Sequence, residues 1–342
     1  MQQALYHPQH GYYSSGRCVI GRKGDYFTNV SVGPLFGELL ARQFSEIWER
    51  LGKMKDFVIV EQGAHDGQFA QDVLEFARKR LPEFFEALRY RIVEPFLILK
   101  DRQRQTLEAF LAKVEWRNAL QPFTGVHFSN ELLDAMPVRL ATDGAEKLVA
   151  LEDDKFVFIE RPHSQGAAAS RLPRDEGSFN QAALDWVDQV AANLQRGYVI
   201  AIDYGGLAEE PEEKIQVRAR HRNVDSPFER IGDADITMRV DWRSIVRRAE
   251  ANGLRNAGFT DQHHFLTGIV SGMGRGDSPE PPPGDWRQSP LPDSRKTKRE
   301  LQTLLHPEML GRAFQVLALA KNVDLETAPL VGFKFARELT HN

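Results

Sequence analysis

Two carboxylates, Glu61 and Glu94, each end a short run of residues with the composition of a buried strand. Gly63 and Gly67 lie in the turn after the first run, where the lack of a side chain lets a ligand approach the backbone closely. A carboxylate at the end of the second run is well placed to hold ribose hydroxyls. The sequence therefore predicts a nucleoside-binding turn; the alternative is an ordinary strand-to-helix turn whose glycines only adopt a positive φ.

The turn from Gln62 to Gly67 reads Gln-Gly-Ala-His-Asp-Gly and lacks the Gly-x-Gly-x-x-Gly pattern. That pattern holds the pyrophosphate of a dinucleotide, so a nicotinamide-dependent dehydrogenase is the least favoured enzyme class. A nucleoside without phosphates fits better. S-adenosyl-L-methionine is the cofactor that we predict.

A second pair of carboxylates, Glu131 and Asp134, follows another strand-like run that ends at Asn130. At this spacing, a single helical turn would point both carboxylates the same way, close to the predicted cofactor. A purely structural interpretation stays open, in which acidic residues begin a helical turn that Pro137 stops.

Further polar candidates have stronger structural alternatives. Asp203 and Tyr204 follow one more apolar run, whereas Asp235 and Asp241 are candidates for helix N-caps as much as for a site. We interpret the pair His263-His264 as part of a strand and not as metal ligands. The one cysteine, Cys18, is not enough for an internal disulfide or a thiolate metal site.

Strand-like and helix-like segments alternate along the chain, which predicts βαβ units and a parallel sheet with ligands at the carboxyl ends of its strands. Glu61, Glu94 and Asn130 would all lie there. The predicted strands are residues 56–61, 90–94, 113–116, 125–130, 197–205, 259–265 and 313–320, with an antiparallel meander at 138–159. The predicted helices are residues 34–51, 68–80, 95–110, 180–195 and 242–252.

Length and composition set broad limits. The 342 residues are 42% hydrophobic, with 44 Lys and Arg against 48 Asp and Glu, which gives a core-forming chain with a net charge of −4. This balance disfavours a general nucleic-acid binder. Apolar runs are far shorter than the roughly 20 residues of a membrane span, and the start does not resemble a signal peptide, so we predict a cytoplasmic protein without membrane attachment.

Several motifs in order along the chain resemble those of the MidA family. They are His7-Pro8 with His10-Gly11-Tyr12-Tyr13, Gly24-Asp25-Tyr26-Phe27-Thr28, Phe36-Gly37-Glu38, Glu61-x-Gly63, Asn130-Glu131-Leu132-Leu133-Asp134-Ala135-x-Pro137-Val138, Asp203-Tyr204-Gly205 and Asp235-Ile236-Thr237-x-x-Val240-Asp241. The resemblance implies an S-adenosyl-L-methionine-dependent methyltransferase of the class I, Rossmann-like α/β fold, with a mostly parallel sheet and an antiparallel edge. Mitochondrial members are complex I assembly factors that methylate a protein arginine, which implies a protein substrate, such as a complex I subunit.

Two positions depart from the family's pattern. His65 stands where many relatives have a glycine in the cofactor loop, and Ala119 stands where relatives often have an aspartate for the adenine amine, with Asn118 as the substitute. The predicted cofactor-binding residues are Glu61, Gly63, Ala64, Gly67, Glu94, Asn118 and Asn130. The predicted substrate-binding residues are Asp25, Thr28, Asp203, Tyr204, His221 and Asp235.

Our hypothesis for the chemistry places Glu131 in contact with a guanidinium, with Asp134 sharing that contact or fixing the loop. Carboxylates orient a guanidinium and compensate its charge during transfer. Three alternatives stay open: a small-molecule methyltransferase, an RNA methyltransferase that uses Arg218 to Arg222 on phosphate, and a cofactor-binding scaffold without catalysis.

The surplus length predicts a division into an N-terminal segment with a helix, residues 1–55, and a methyltransferase core, residues 56–342. The core would carry insertions at about 138–196, 206–241 and 268–310 that cover the substrate as a lid. The apolar stretch Leu330 to Phe335 is a candidate for packing on a second subunit, so a homodimer stays open.

Overall fold

The computed structural model describes residues 1–18, 21, 28–142, 145–162, 177–206, 215–220, 222–273, 291, 294–326 and 328–336. Its α-helices are α1 (Gln2–Tyr6), α2 (Asn29–Val32), α3 (Leu35–Arg50), α4 (Gln68–Arg80), α5 (Pro82–Ala87), α6 (Leu97–Thr106), α7 (Gln181–Asn193), α8 (Trp242–Ala251), α9 (Gln262–Gly272) and α10 (Arg295–Leu305). Its strands are β1 (Phe57–Gln62), β2 (Leu88–Val93), β3 (Val114–Arg117), β4 (Phe123–Asn130), β5 (Arg139–Thr142), β6 (Ala145–Glu152), β7 (Lys155–Pro162), β8 (Gly177–Phe179), β9 (Leu194–Gly206), β10 (Gln216–Ala219), β11 (Arg222–Asn223), β12 (Asp235–Thr237), β13 (Val240–Asp241), β14 (Arg255–Asp261) and β15 (Phe314–Lys321). Short turns of other helix types lie at Glu108–Phe110, Pro307–Gly311 and Val331–Phe333.

A central sheet runs in the order β3-β2-β1-β4-β9-β15-β14. Strands β3, β2, β1, β4 and β9 pair in parallel, whereas β15 runs antiparallel to both of its neighbours. The two-residue strand β13 adds to the end of β9. This topology confirms the predicted α/β class with a mostly parallel sheet, and it confines the antiparallel pairings to one side.

Helices cover both faces of this sheet because its strands are apolar on both faces. Alternate side chains of one strand therefore enter different cores: Ile59 packs with helices α3 and α4, whereas Val60 packs with α7 and α8. The first four strands and the helices between them lie within a few residues of their predicted bounds. Buried parallel strands give the clearest sequence signal in this chain.

Two small antiparallel sheets stand outside the central one. Strands β7, β6, β5 and β8 form the first, which contains the predicted meander, and β11, β10 and β12 form the second. The N-terminal segment packs on the second sheet, because Leu5 and Tyr12 share a buried cluster with Val217 and Ile236. The division into segment, core and insertions stays a prediction.

The predicted strand over residues 259–265 is wrong at its second half. Strand β14 ends at Asp261, and its carboxylate accepts the backbone N–H of His264 to cap helix α9. Phe265, Leu266 and Ile269 then recur at helical spacing and are buried. His263 and His264 are therefore helical, and a short apolar run did not distinguish the two structures.

The C-terminal apolar stretch packs on its own chain. Leu330 and Phe333 are buried, and the backbone N–H groups of Val331 and Gly332 donate to Glu46 and Gln43 of helix α3. Leu330 and Phe333 are therefore occupied within their own chain, whereas Phe335 is exposed, and packing of this stretch on a second subunit stays a prediction. The homodimer itself stays a prediction.

Among the described residues, none of the helices combines the length and the apolar character that crossing a membrane requires.

Candidate functional site

The turn between β1 and α4 forms one wall of the site. Gly63, His65 and Gly67 all take a positive φ, at 82°, 47° and 85°. This left-handed backbone favours glycine, so His65 takes a conformation that residues with a side chain rarely adopt. The turn thus has a backbone conformation that lets a ligand approach it closely, although one of the three positions with a positive φ carries a side chain.

Glu61 and Glu94 occupy the carboxyl ends of neighbouring strands, as predicted, and both line the cavity. Tyr90 donates its hydroxyl to Glu61 at 2.7 Å, and burial raises the pKa of Glu61 to about 8. Glu94 accepts the backbone N–H of Phe96 at 3.0 Å on one oxygen and the Gln103 amide at 3.2 Å on the other. Burial also raises the pKa of Glu94.

Gln103, on helix α6, connects the turn after β1 with residues at the end of β2 and in β3 through three hydrogen bonds. Its amide nitrogen donates to the carbonyl of His65 at 2.9 Å as well as to Glu94, and its oxygen accepts from the indole of Trp116 at 3.0 Å. All its polar atoms are therefore used, which fixes the loop relative to β2 and β3. Sequence reasoning did not find Gln103, because no local pattern marks a buried glutamine in a helix.

Asn118, the predicted substitute for an adenine-binding aspartate, lies at the end of β3 and lines the cavity. Its side-chain oxygen accepts a hydrogen bond from Lys100. The amide nitrogen of Asn118 points to no described partner.

Glu131 stands at the end of β4 with its carboxylate in the cavity wall. Its Oε1 accepts the side-chain amide of Asn130 at 2.9 Å and the backbone N–H of Asn29 at 3.4 Å, while Asn29 also donates to Asn130 at 3.0 Å. Burial raises the pKa of Glu131 to about 8, and the neighbouring Asp203 carboxylate adds to the shift. Thr28 caps the short helix α2 that carries Asn29.

Glu131 and Asp134 do not share a helical turn, contrary to the prediction. Glu131 takes a left-handed backbone with a φ of 54°, and the segment after it is irregular. Asp134 is buried beneath the cavity wall, where burial and the neighbouring Asp203 and Asp235 raise its pKa well above the ordinary value. Of the two, only Glu131 reaches the cavity.

The side chain of Asp203 holds the irregular segment that follows Glu131 through hydrogen bonds to its backbone. Its Oδ2 accepts the consecutive backbone N–H groups of Leu132, Leu133 and Asp134, and its Oδ1 accepts that of Tyr204. Both oxygens are therefore engaged by the backbone, and the side chain is buried. Burial raises the pKa of Asp203 to about 7, and the hydrogen bonds to its ionised form oppose that shift.

Asp235 connects the second small sheet to the N-terminal segment. Tyr13 donates its hydroxyl to Asp235 at 2.6 Å, and Tyr6 donates to the carbonyl of Ala135 at 3.0 Å. Both tyrosines line the cavity. Asp241, by contrast, is the N-cap of α8, since it accepts the backbone N–H of Ser244.

These walls enclose one cavity of about 870 Å³, which lies within the range of about 300–1,000 Å³ that small-molecule sites occupy. It brings together many of the predicted site residues: Glu61, Gly63, Ala64, Glu94, Asn118, Asn130, Glu131 and Thr28. It does not include Gly67, Asp134, Asp203, Tyr204 or Asp235, which lie behind the walls or at the turn's far end. Asp25 and His221 lie outside the described residues.

Four residues that line the cavity were not predicted as site residues from the sequence. Tyr6, Tyr13, Gln62 and Trp186 all face the cavity. Tyr13 and Gln62 lie inside motifs that the sequence did reveal, but nothing in those motifs says which side chains point inward. Trp186 belongs to helix α7, which follows the cofactor loop by more than a hundred residues.

Comparison with known proteins gives consistent matches. A family model described as S-adenosyl-L-methionine-dependent methyltransferase matches residues 39–260. The chain belongs to this methyltransferase family. The human protein arginine methyltransferase NDUFAF7, mitochondrial, is 38% identical over 306 residues, which cover 78% of this chain and 68% of the relative. The Drosophila melanogaster homolog of NDUFAF7 is 27% identical over an alignment of 377 positions, gaps included. The alignment covers 97% of this chain and 84% of the relative.

A solved structure agrees with the family membership. A COG1565 superfamily member from Burkholderia thailandensis, bound to S-adenosyl-homocysteine, superposes with a TM-score of 0.81 at 30% identity and covers 98% of this chain and 89% of its own. This methyltransferase therefore has the class I fold, and S-adenosyl-L-methionine is its cofactor.

The described walls fit that cofactor. A carboxylate offers about four acceptor positions, of which Glu94 uses two, so two remain for vicinal ribose hydroxyls. The left-handed turn at Gly63 lets the backbone approach closely, and the apolar corner formed by Leu120, Met136 and Trp186 suits a flat ring. The individual assignments of cofactor-binding residues remain predictions.

Proposed function

We propose that this methyltransferase transfers its methyl group to the guanidinium of an arginine in a protein substrate. The observation that carries the proposal is Glu131, a carboxylate in the cavity wall without a cationic partner. Among the described lining residues there is no lysine or arginine, and the hydrogen bonds that Glu131 accepts come from neutral amides. A guanidinium supplies the missing positive charge.

The geometry around Glu131 leaves one oxygen for a substrate. Oε1 receives Asn130 and Asn29, while Oε2 accepts no hydrogen bond from a described residue. Asn130 and Asn29 also bond to each other, so the carboxylate is held from both sides. Such a fixed carboxylate orients one guanidinium nitrogen and localises positive charge on the others.

When bound, the cofactor supplies an electrophilic methyl group on a sulfonium. Glu131 aligns the attacking nitrogen with that group. A bound guanidinium lowers the raised pKa of Glu131 and favours the ionised carboxylate, so that Oε2 can take the proton that the nitrogen loses on methylation. Tyr6 and Tyr13 close the opposite side of the cavity and help to exclude water from it. The carboxyl groups of Asp134 and Asp203 are buried behind this wall, where burial raises the pKa of both and favours their neutral forms.

The names of the relatives support a protein arginine as the acceptor. The resemblance to the MidA family adds a respiratory complex I subunit as a specific target. A cytoplasmic location is likewise part of the proposal and is supported by the sequence-based prediction alone.

Labelling of a cell extract tests the acceptor class. The purified protein is incubated with extract and S-adenosyl-L-methionine that carries an isotope-labelled methyl group, and the extract is then separated into protein, RNA and small-molecule fractions. The proposal expects enzyme-dependent label in the protein fraction. Label confined to RNA or to small molecules would favour the alternative methyltransferases, and no enzyme-dependent label in any fraction would favour a scaffold.

A further inference from the structure

Gln62 is the last residue of β1, and its side chain points to the face of the sheet opposite to that of Glu61. Its Oε1 accepts the indole N–H of Trp186 at 3.0 Å and lies 2.8 Å from Nε2 of His127. An indole nitrogen can only donate, so the atom that faces Trp186 must be the carboxamide oxygen. The orientation of this carboxamide is thereby fixed.

His127 acts as the second donor to the same oxygen. It is completely buried on β4, and burial lowers its pKa to about 3, so its ring is neutral. The neutral ring must carry its proton on Nε2 to donate to Gln62. With two donors on the oxygen, the amide nitrogen of Gln62 is left to face the cavity that the residue lines, and it donates to no described residue.

The surroundings of Gln62 decide what its amide nitrogen can meet. Trp186 belongs to a hydrophobic cluster on which Leu120, Leu132 and Met136 pack, and all four line the cavity. The described lining contains no lysine or arginine that would attract a carboxylate. A neutral donor between apolar walls matches a heteroaromatic ring, which has apolar faces and neutral acceptor nitrogens on its edge.

The register of the sheet places Gln62 near the predicted ribose position. Gln62 pairs with Val93 of β2, and Val93 pairs with Arg117 of β3. Glu94 and Asn118 follow directly, so the three polar side chains line one edge of the sheet. Gln62 therefore lies one strand from Glu94, on the side opposite to Asn118.

We propose that Gln62 donates a hydrogen bond to a ring nitrogen of the cofactor's adenine and that Trp186 and His127 are the positioning residues that aim it. The inference rests on the cofactor alone and does not depend on the nature of the methyl acceptor. The proposed contact from Gln62 of β1 is distinct from the adenine contact predicted for Asn118, which follows β3.

Calorimetric binding of two ligands tests the proposal. S-adenosyl-homocysteine contains the nucleoside and an amino-acid carboxylate, whereas 5′-methylthioadenosine contains the nucleoside without that carboxylate. Gln62→Glu keeps an oxygen for Trp186 and His127 and removes the donor. At about pH 9.5, which lies above the pKa of about 8 that burial gives the neighbouring Glu61, it should weaken both ligands by about 10-fold or more. Gln105→Glu, at an exposed glutamine of α6 that does not line the cavity, is the matched control and should change either affinity by less than about 2-fold.

Three outcomes would overturn the proposal. Unchanged affinity of Gln62→Glu for both ligands would show that the amide donates to neither. A loss confined to S-adenosyl-homocysteine would place Gln62 at the amino-acid end of the cofactor. An equal loss in Gln105→Glu would mean that the added negative charge, and not the lost donor, weakens binding. If Gln62→Glu does not fold, Trp186→Phe decides, because it removes one of the donors that aim the carboxamide. We expect it to weaken both ligands by about 3-fold, and unchanged affinities would contradict the proposal.

Discussion

Asp203 accepts the backbone N–H of Leu133 on its Oδ2 at 2.7 Å. The same oxygen also accepts the N–H groups of Leu132 and Asp134, at 3.1 and 3.2 Å. One carboxylate from β9 therefore holds three consecutive residues of the segment that begins with Glu131. This contact replaces the helical turn that the spacing of Glu131 and Asp134 predicted.

Asp203→Asn should lower the rate of methyl transfer more than it lowers cofactor affinity. An asparagine has one acceptor oxygen instead of two, so it loses either Tyr204 or the three amides above it. We expect kcat to fall at least about 10-fold, S-adenosyl-homocysteine affinity to stay within about 3-fold, and stability to fall by about 1–3 kcal/mol in denaturant unfolding.

The matched control for this variant is Asp241→Asn. Asp241 caps helix α8 at the surface, and asparagine caps a helix equally well. An equal loss of activity in both variants would contradict the role of Asp203 in holding the segment.

Glu94→Gln should weaken cofactor binding specifically. Both oxygens of Glu94 already accept one hydrogen bond from the protein, and the carboxamide would turn one oxygen into a donor. Hydrogen bonds to a charged group contribute about 1.5–3 kcal/mol, so the affinity for S-adenosyl-homocysteine should fall by about 10–100-fold. Glu83→Gln, on the exposed face of α5, serves as control and should bind normally. Normal binding by Glu94→Gln would remove Glu94 from the cofactor site.

The sequence predicted that Glu61 and Glu94 lie at the ends of neighbouring strands, because this part of the cavity is built locally. Apolar strands that are buried on both faces stand out in the sequence, and Glu61 and Glu94 follow such strands directly. The wall around Glu131 was predicted less well, because its geometry depends on residues far apart in sequence. Asp203 lies 70 positions from Leu133, and Tyr13 lies 222 positions from Asp235, so no local pattern could show either contact.

Glu131→Gln should stabilise the ligand-free protein, and more so at higher pH. Burial raises the pKa of Glu131 from 4.5 to about 8. Between these values the folded protein keeps a proton that the unfolded chain has lost, so the free energy of unfolding contributed by this group falls as pH rises through that window. The neutral glutamine removes this penalty.

Thermal unfolding of wild type and Glu131→Gln at about pH 5 and about pH 8.5 measures the effect. We expect the Tm of the variant to exceed that of the wild type by about 2 °C or more at the higher pH and by less at the lower. A difference that is the same at both pH values would mean that Glu131 ionises as an ordinary surface carboxylate.

The central claim is that Glu131 presents an arginine guanidinium to the methyl donor, and mass spectrometry of labelled peptides tests it most directly. Wild type and Glu131→Gln are incubated side by side with the protein fraction of an extract and with methyl-labelled S-adenosyl-L-methionine. The account predicts label on a guanidinium nitrogen of arginine with the wild type. It also predicts loss of that label with Glu131→Gln, while the variant binds S-adenosyl-homocysteine within about 3-fold of the wild type. Label on another residue type, or undiminished arginine label with the variant, would contradict it.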